Sequence, residues 1–292
     1  MADPTKIAFI GLGQMGLPMT RNLLRAGFPI CGFDRNPDAA AALCSAPGFV
    51  QAPSAAGAVA EAEVVILMLP SSAVVDDLLW QQGLAERLLA GQIVLDMGSC
   101  DPVCSRANEQ RLQALGVGFV DAPVSGGVRR AVDASLAIMI GGATESVDRV
   151  RPLLQALGKT LVHVGAAGAG HAVKALNNYV SAAGMLAACE ALTAAQAFGI
   201  DPHLVNQVFN ASTGKNNTTE HKVEAFMLSG AFNSGFALAL MRKDLQTAAD
   251  FIDRMDTPGD FARRCLQTWQ DAQAVLEEGA DHTALYRFIQ RD

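Results

Sequence analysis

"KIAFIGLGQMGLPMTRNLLRAG", residues 6–27, joins a short apolar run to an amphipathic helical pattern through three glycines, Gly11, Gly13 and Gly16, spaced G-x-G-x-x-G. Each glycine meets a distinct demand: Gly11 allows the tight turn, Gly13 lets backbone approach a pyrophosphate, and Gly16 allows close packing of helix on strand. The anion would lie at the helix N-terminus, held by backbone N–H groups of Leu12, Gln14 and Met15 among others. The next apolar run, "PICGFD", ends on Asp34, at the distance where a carboxylate accepts the adenosine ribose hydroxyls. Asp34 favours NAD because its charge repels a 2′-phosphate, while Arg35 could accept that phosphate and so leaves NADP open.

Outward from this unit the rhythm repeats. "EVVILML", "QIVLDMG", "GVGFVDAPV", "LAIMIGG" and "KTLVHVG" follow with helical patterns between them, which predicts an α/β fold: a doubly wound (Rossmann) parallel sheet covered on both faces. Beyond Gly170 the strand-like runs stop, and "HAVKALNNYVSAAGMLAACEALTAAQAFGI" reads as one long helix ended by Gly199. Further helices are predicted around Pro202 to Asn210, Met241 to Met255 and Thr257 to Leu276. The expected organisation is a dinucleotide-binding domain over 1–165 and an all-helical substrate and oligomerisation domain over 166–292, with "GAAGAG" (165–170) as a flexible joint.

The 292 residues carry a net charge of −7 and no basic stripe, which excludes a nucleic-acid surface of the usual kind. No continuous apolar run approaches the roughly 20 residues that span a bilayer, and Lys6 leads straight into a strand instead of a signal segment. A cytoplasmic protein is expected. Six scattered cysteines and five histidines lack disulfide or metal-ligand spacing, so reduced thiols and no metal are expected.

Three later motifs carry candidate chemistry. "DAPVSGG" (121–127) delivers Ser125, Gly126 and Gly127 to the sheet's carboxyl edge, where a hydroxyl and exposed N–H groups suit a carboxylate, although a plain glycine turn has the same letters. "GAGHAVKALNN" (168–178) places Lys174 near a helix start with Asn177 and Asn178 three and four residues on, one helical face. The N-terminal dipole and apolar neighbours would lower the lysine's pKa toward acid/base use. Lys243 and Asp244 in "KDL" could border a cofactor or orient a lysine, or could be a helical surface ion pair.

Taken together and in this order, "IAFIGLGQMGLPMTRNL", "DAPVSGG", "GAGHAVKALNN" and "KDL" resemble the β-hydroxyacid dehydrogenase family over nearly the whole chain. The resemblance implies that Lys174 is catalytic, that Ser125, Gly126 and Gly127 hold the substrate carboxylate, that Asn178 bonds the substrate, and that Lys243 lies near cofactor and substrate. It also implies that Leu69 and Pro70, with Ser99 of "DMGSC", line the nicotinamide side, and that the helical domain packs into homodimers or homotetramers. Cys100 stands where the family commonly has threonine, and Ala134 where it often has glycine. Arg129 and Arg130 would favour a second anionic group only if one of them faces the pocket. The expected reaction is hydride transfer between a nicotinamide and a small β-hydroxyacid. The rival readings are an imine or other carbonyl-type reductase and a silent dinucleotide-binding module.

Overall fold

The structure is a computed structural model describing residues 5–290. By its internal contacts the chain divides into two compact units, one reaching Lys174 and the other starting at Ala175.

The first unit is built on nine strands: β1 (Ile7–Ile10), β2 (Ile30–Phe33), β3 (Phe49–Gln51), β4 (Val64–Leu67), β5 (Ile93–Asp96), β6 (Gly118–Asp121), β7 (Val124–Ser125), β8 (Leu136–Gly142) and β9 (Gly158–Gly165). Their order is β3-β2-β1-β4-β5-β6-β8-β7, with β9 paired to β8. Strand order reverses between β1 and β4, the switch point at which open α/β sheets bind ligands. Alternation along the strands explains the double cover: Ile7, Phe9, Val64 and Ile66 feed one core, while Ala8, Ile10, Val65 and Leu67 feed the other. Parallel pairing holds from β3 through β6, but β8 runs antiparallel to β6 and β7. The expected doubly wound parallel sheet is present, with antiparallel pairing added where β8 joins it. Only a turn and the six-residue helix Gly127–Val132 separate β7 from β8, too little chain for a crossover. β3, three residues long, carries no signal that its sequence makes visible.

The second unit is helical throughout. Its core gathers Met185, Leu192, Leu245, Trp269 and Leu285 around the long helix Ala169–Ala197, with helices Pro202–Ala211, Leu238–Arg254 and Asp260–Val275. The long helix stops where expected, at Gly199 with φ +91°, and Asp201 caps the next helix by accepting the His203 N–H at 2.9 Å. Within the polar stretch 210–222, Asn216 and Thr219 close a capping box on the short helix Asn217–His221. Asp281 ties Ser234, Gly235, Phe236 and Thr283 together through its carboxylate.

The long helix is apolar enough by length and composition to cross a membrane, with a mean hydropathy of 1.2 over 18 residues. Scattered alanines raise that average without forming a continuous run. Ala182, Met185, Leu186, Cys189 and Leu192 are buried in the helical core, so this is a core helix and not a span.

Candidate active site

The carboxyl ends of β1, β4, β5 and β6 lie side by side, registered Ile10 to Leu67, Leu67 to Asp96, and Asp96 to Asp121. The turn after β1 needs its glycines. Gly11 has φ +99°, and a methyl group there would stand 2.4 Å from the Met68 carbonyl oxygen; one on Gly16 would collide with the Gly11 carbonyl oxygen. Gly13 has open space around it, and helix Gly16–Arg25 has no side-chain cap; Leu17 and Met19 donate to the Gly13 and Met15 carbonyls and Pro18 has no N–H, which leaves the turn from Gly13 to Gly16 as the place for an anion. Those features fit a pyrophosphate.

Asp34 is half-buried at the end of β2. Its Oδ2 accepts the Leu12 N–H at 2.7 Å and its Oδ1 the Asn36 N–H at 2.8 Å, so it braces the glycine turn. Arg35 beside it is exposed. Leu69 and Pro70 follow β4, and Ser99 follows β5; Gly98 fits against the Leu69 carbonyl oxygen, bringing the two loops together. Ser125 ends β7, and Gly126 and Gly127 are exposed in the turn after it. Arg129 and Arg130 are both exposed, but the stem of Arg130 lies against Gly126, so of the two it borders the turn.

Lys174 is half-buried near the start of the long helix. Within the helical unit, Asn178 Nδ2 donates to Asp244 Oδ2 at 2.5 Å, and Lys243 Nζ lies 3.7 Å from Asp244 Oδ1. Asp244 is 4% exposed. The surface-pair reading of Lys243 and Asp244 is thus replaced: Asp244 is a buried acceptor that fixes Asn178, and helical spacing alone could not reveal it.

Sequence reasoning also missed a buried polar group in the sheet unit. Asp121, Ser105 and His171 are all buried, with Ser105 Oγ and His171 Nδ1 2.7 Å apart and Nδ1 3.7 Å from Asp121 Oδ2. Burial pushes the Asp121 carboxyl up, His171 and the backbone N–H groups of His171 and Gly168 pull it back, and Asp96 adds to the rise; the net direction is up. Ligand atoms of Asp96, Cys100 and His171 come within 4.8 Å of one another, a grouping that sequence spacing hides. Asp96 Oδ1 accepts the Gly98 N–H and His171 Nδ1 bonds Ser105.

Residues 6–165 match the sequence family described as the NAD binding domain of 6-phosphogluconate dehydrogenase, and residues 168–289 that described as NAD-binding of NADP-dependent 3-hydroxyisobutyrate dehydrogenase. A 2-(hydroxymethyl)glutarate dehydrogenase from Eubacterium barkeri is 32% identical over 94% of the chain and 91% of its own length. A probable 3-hydroxyisobutyrate dehydrogenase from Mycobacterium bovis is 38% identical over 85% of each chain. Among solved structures, Mycobacterium tuberculosis 3-hydroxyisobutyrate dehydrogenase with L-serine superposes at a TM-score of 0.91, with 33% identity, covering 99% of this chain and 100% of that one.

Proposed function

The chain belongs to the β-hydroxyacid dehydrogenase family, and we propose that Lys174 is the acid/base group of its reaction. The protein is an NAD(P)-dependent 3-hydroxyacid dehydrogenase. The dinucleotide, when bound, exchanges a hydride with the hydroxyl-bearing carbon. Lys174 takes the hydroxyl proton in the oxidative direction and returns it when a semialdehyde or keto acid is reduced. Ser125 and the N–H groups of Gly126 and Gly127 hold the substrate carboxylate, and Asn178, oriented by Asp244, bonds the substrate. Gly13, Gln14, Met15 and Gly16 offer backbone N–H groups to the pyrophosphate, Gly11 and Leu12 shape the turn with their own N–H groups held by Phe33 and Asp34, and Leu69, Pro70 and Ser99 line the nicotinamide. Asp34 selects NAD, with Arg35 able to admit NADP, and Lys243 closes near cofactor and substrate.

One observation carries this reading: the glycine turn and the Ser125–Gly127 turn share one edge of the sheet, and the chain leaving that unit enters the helix that bears Lys174. Replacing Lys174 with methionine should lower kcat by about 1,000-fold while dinucleotide affinity stays within about twofold; near-normal turnover in that variant removes the assignment. A screen of C3 to C5 hydroxyacids with NAD and NADP, including serine, 3-hydroxyisobutyrate, glycerate, threonate and 2-(hydroxymethyl)glutarate, identifies substrate and cofactor preference.

The helical unit leaves Val180, Phe198, Leu204 and Val208 exposed, which supports assembly as a homodimer or homotetramer through that unit. Light scattering measures it. No disulfide joins the cysteines among the described residues, which supports a reducing, cytoplasmic setting.

A further inference from the structure

Asp121 ends β6 and begins "DAPVSGG", and its side chain is wholly buried. Its two oxygens take different partners: Oδ1 accepts the Gly168 N–H at 2.7 Å and Oδ2 accepts the His171 N–H at 2.8 Å. Both donors belong to the opening turn of the long helix, whose first N–H groups have no helical acceptor and whose dipole favours a negative charge. A carboxylate more than 40 residues upstream thus caps the helix that carries Lys174.

His171 secures the same turn from the other side. Ser105 donates its hydroxyl proton to the Asp101 carbonyl at 3.1 Å, so the His171 ring donates from Nδ1 to Ser105 Oγ. The glycines around this knot are there for space. A methyl group on Gly141 would stand 2.5 Å from Asp121 Oδ1, and one on Gly170 would stand 2.6 Å from the Met139 carbonyl oxygen and 2.9 Å from Asp121 Oδ2. "GAAGAG" is therefore packed against helix Pro102–Gln113 at Gly168 and against the sheet at Gly170, where the sequence suggested a flexible joint. The ionisable groups facing Asp121 are His171 of the long helix and Asp96 of β5.

We propose that Asp121, braced by His171 and Ser105, is the positioning residue for Lys174. One carboxylate then sets two parts of the reaction: the substrate turn begins four residues after it, and the lysine lies three residues, within one helical turn, after the N–H it holds. The proposal rests on the assignment of Lys174 above. Catalytic groups displaced by about 1 Å lose about 100-fold in rate, so a loosened first turn affects turnover before it affects binding at the glycine turn after β1.

The test compares full-length wild type, Asp121→Asn, His171→Gln and Lys174→Met, using the best hydroxyacid from the screen and NADH fluorescence for dinucleotide affinity. Asparagine offers one acceptor where two are needed and turns its amide toward the second N–H. Asp121→Asn should lose about 100-fold in kcat, with KM and dinucleotide Kd within about threefold. A kcat within threefold of wild type, or a Kd weakened as much as kcat, overturns the proposal. If Asp121→Asn does not fold, His171→Gln decides: it keeps the backbone N–H to Asp121 but loses the ring, and should lower kcat about tenfold at unchanged Kd, whereas unchanged kcat overturns the proposal. An active Lys174→Met removes the lysine assignment itself. An inactive Lys174→Met beside a fully active Asp121→Asn removes only the positioning role.

Discussion

Asp121 in the sheet unit and Asp281 in the helical unit are built from the same parts. Each carboxylate gathers backbone N–H groups, and each has a histidine Nδ1 nearby, at 3.7 Å for His171 and 3.9 Å for His282. Their proton affinities nevertheless move in opposite directions. The Asp281 side chain is 8% exposed and accepts from five donors: Ser234 Oγ, the N–H groups of Gly235, Phe236 and Thr283, and Thr283 Oγ1. Burial pushes its carboxyl up, but those donors outweigh it and hold the carboxyl below its ordinary value. Asp121 has two N–H groups and no solvent, and burial wins. The number of donors, more than the neighbouring histidine, decides whether a buried carboxylate is comfortable. Asp281 is a structural tie, whereas Asp121 is held at a cost, as expected where geometry serves chemistry.

The contrast can be broken most directly at the tie itself. Asp281→Ala leaves five donors without their acceptor and should cost about 4 kcal/mol, read from the urea midpoint; a loss under about 1 kcal/mol would make the two carboxylates alike. Acid gives the next largest effect. His282 is buried, and burial first, then the charge of Lys222, lower its pKa from 6.5 to about 4. Between these values the unfolded chain binds a proton that the folded chain refuses, so stability falls as pH drops through that window, by roughly 3 kcal/mol in all. Asp121 works in the opposite sense, because its raised pKa makes the folded state bind a proton first and acidification relieves it. Protection factors in helix Asp260–Val275, which divide out the intrinsic pH dependence of amide exchange, should therefore fall from pH 7 to pH 4.5 in wild type and much less in His282→Gln. The smallest effect sharpens the comparison. Ser234→Ala and Ser105→Ala each remove one hydroxyl and should each cost about 1 kcal/mol, but only Ser105→Ala should also lower kcat.

Legibility in the sequence followed the range of the interaction. The seven apolar runs and the long helix were readable because alternation and helical period act over a few residues; β3 was too short, and the antiparallel entry of β8 depends on pairing across the sheet. The glycine turn was readable because each glycine answers a local steric demand. Asp121, Ser105 and His171 were not: they come from three distant segments, and Asp121 looked like one more letter of a substrate motif. Asp244 was seen but misjudged, since an exposed Lys-Asp pair and a buried acceptor for Asn178 share one dipeptide.

The capping of the long helix from β6 also dictates where the chain can be cut. A dinucleotide-binding fragment ending at residue 165, where the first family match stops, would keep the buried Asp121 but lose both of its N–H donors, Gly168 and His171. It should express poorly. A fragment that continues past Lys174 to complete the first turns of the helix carries its own cap partner and should be the shortest version to stay soluble.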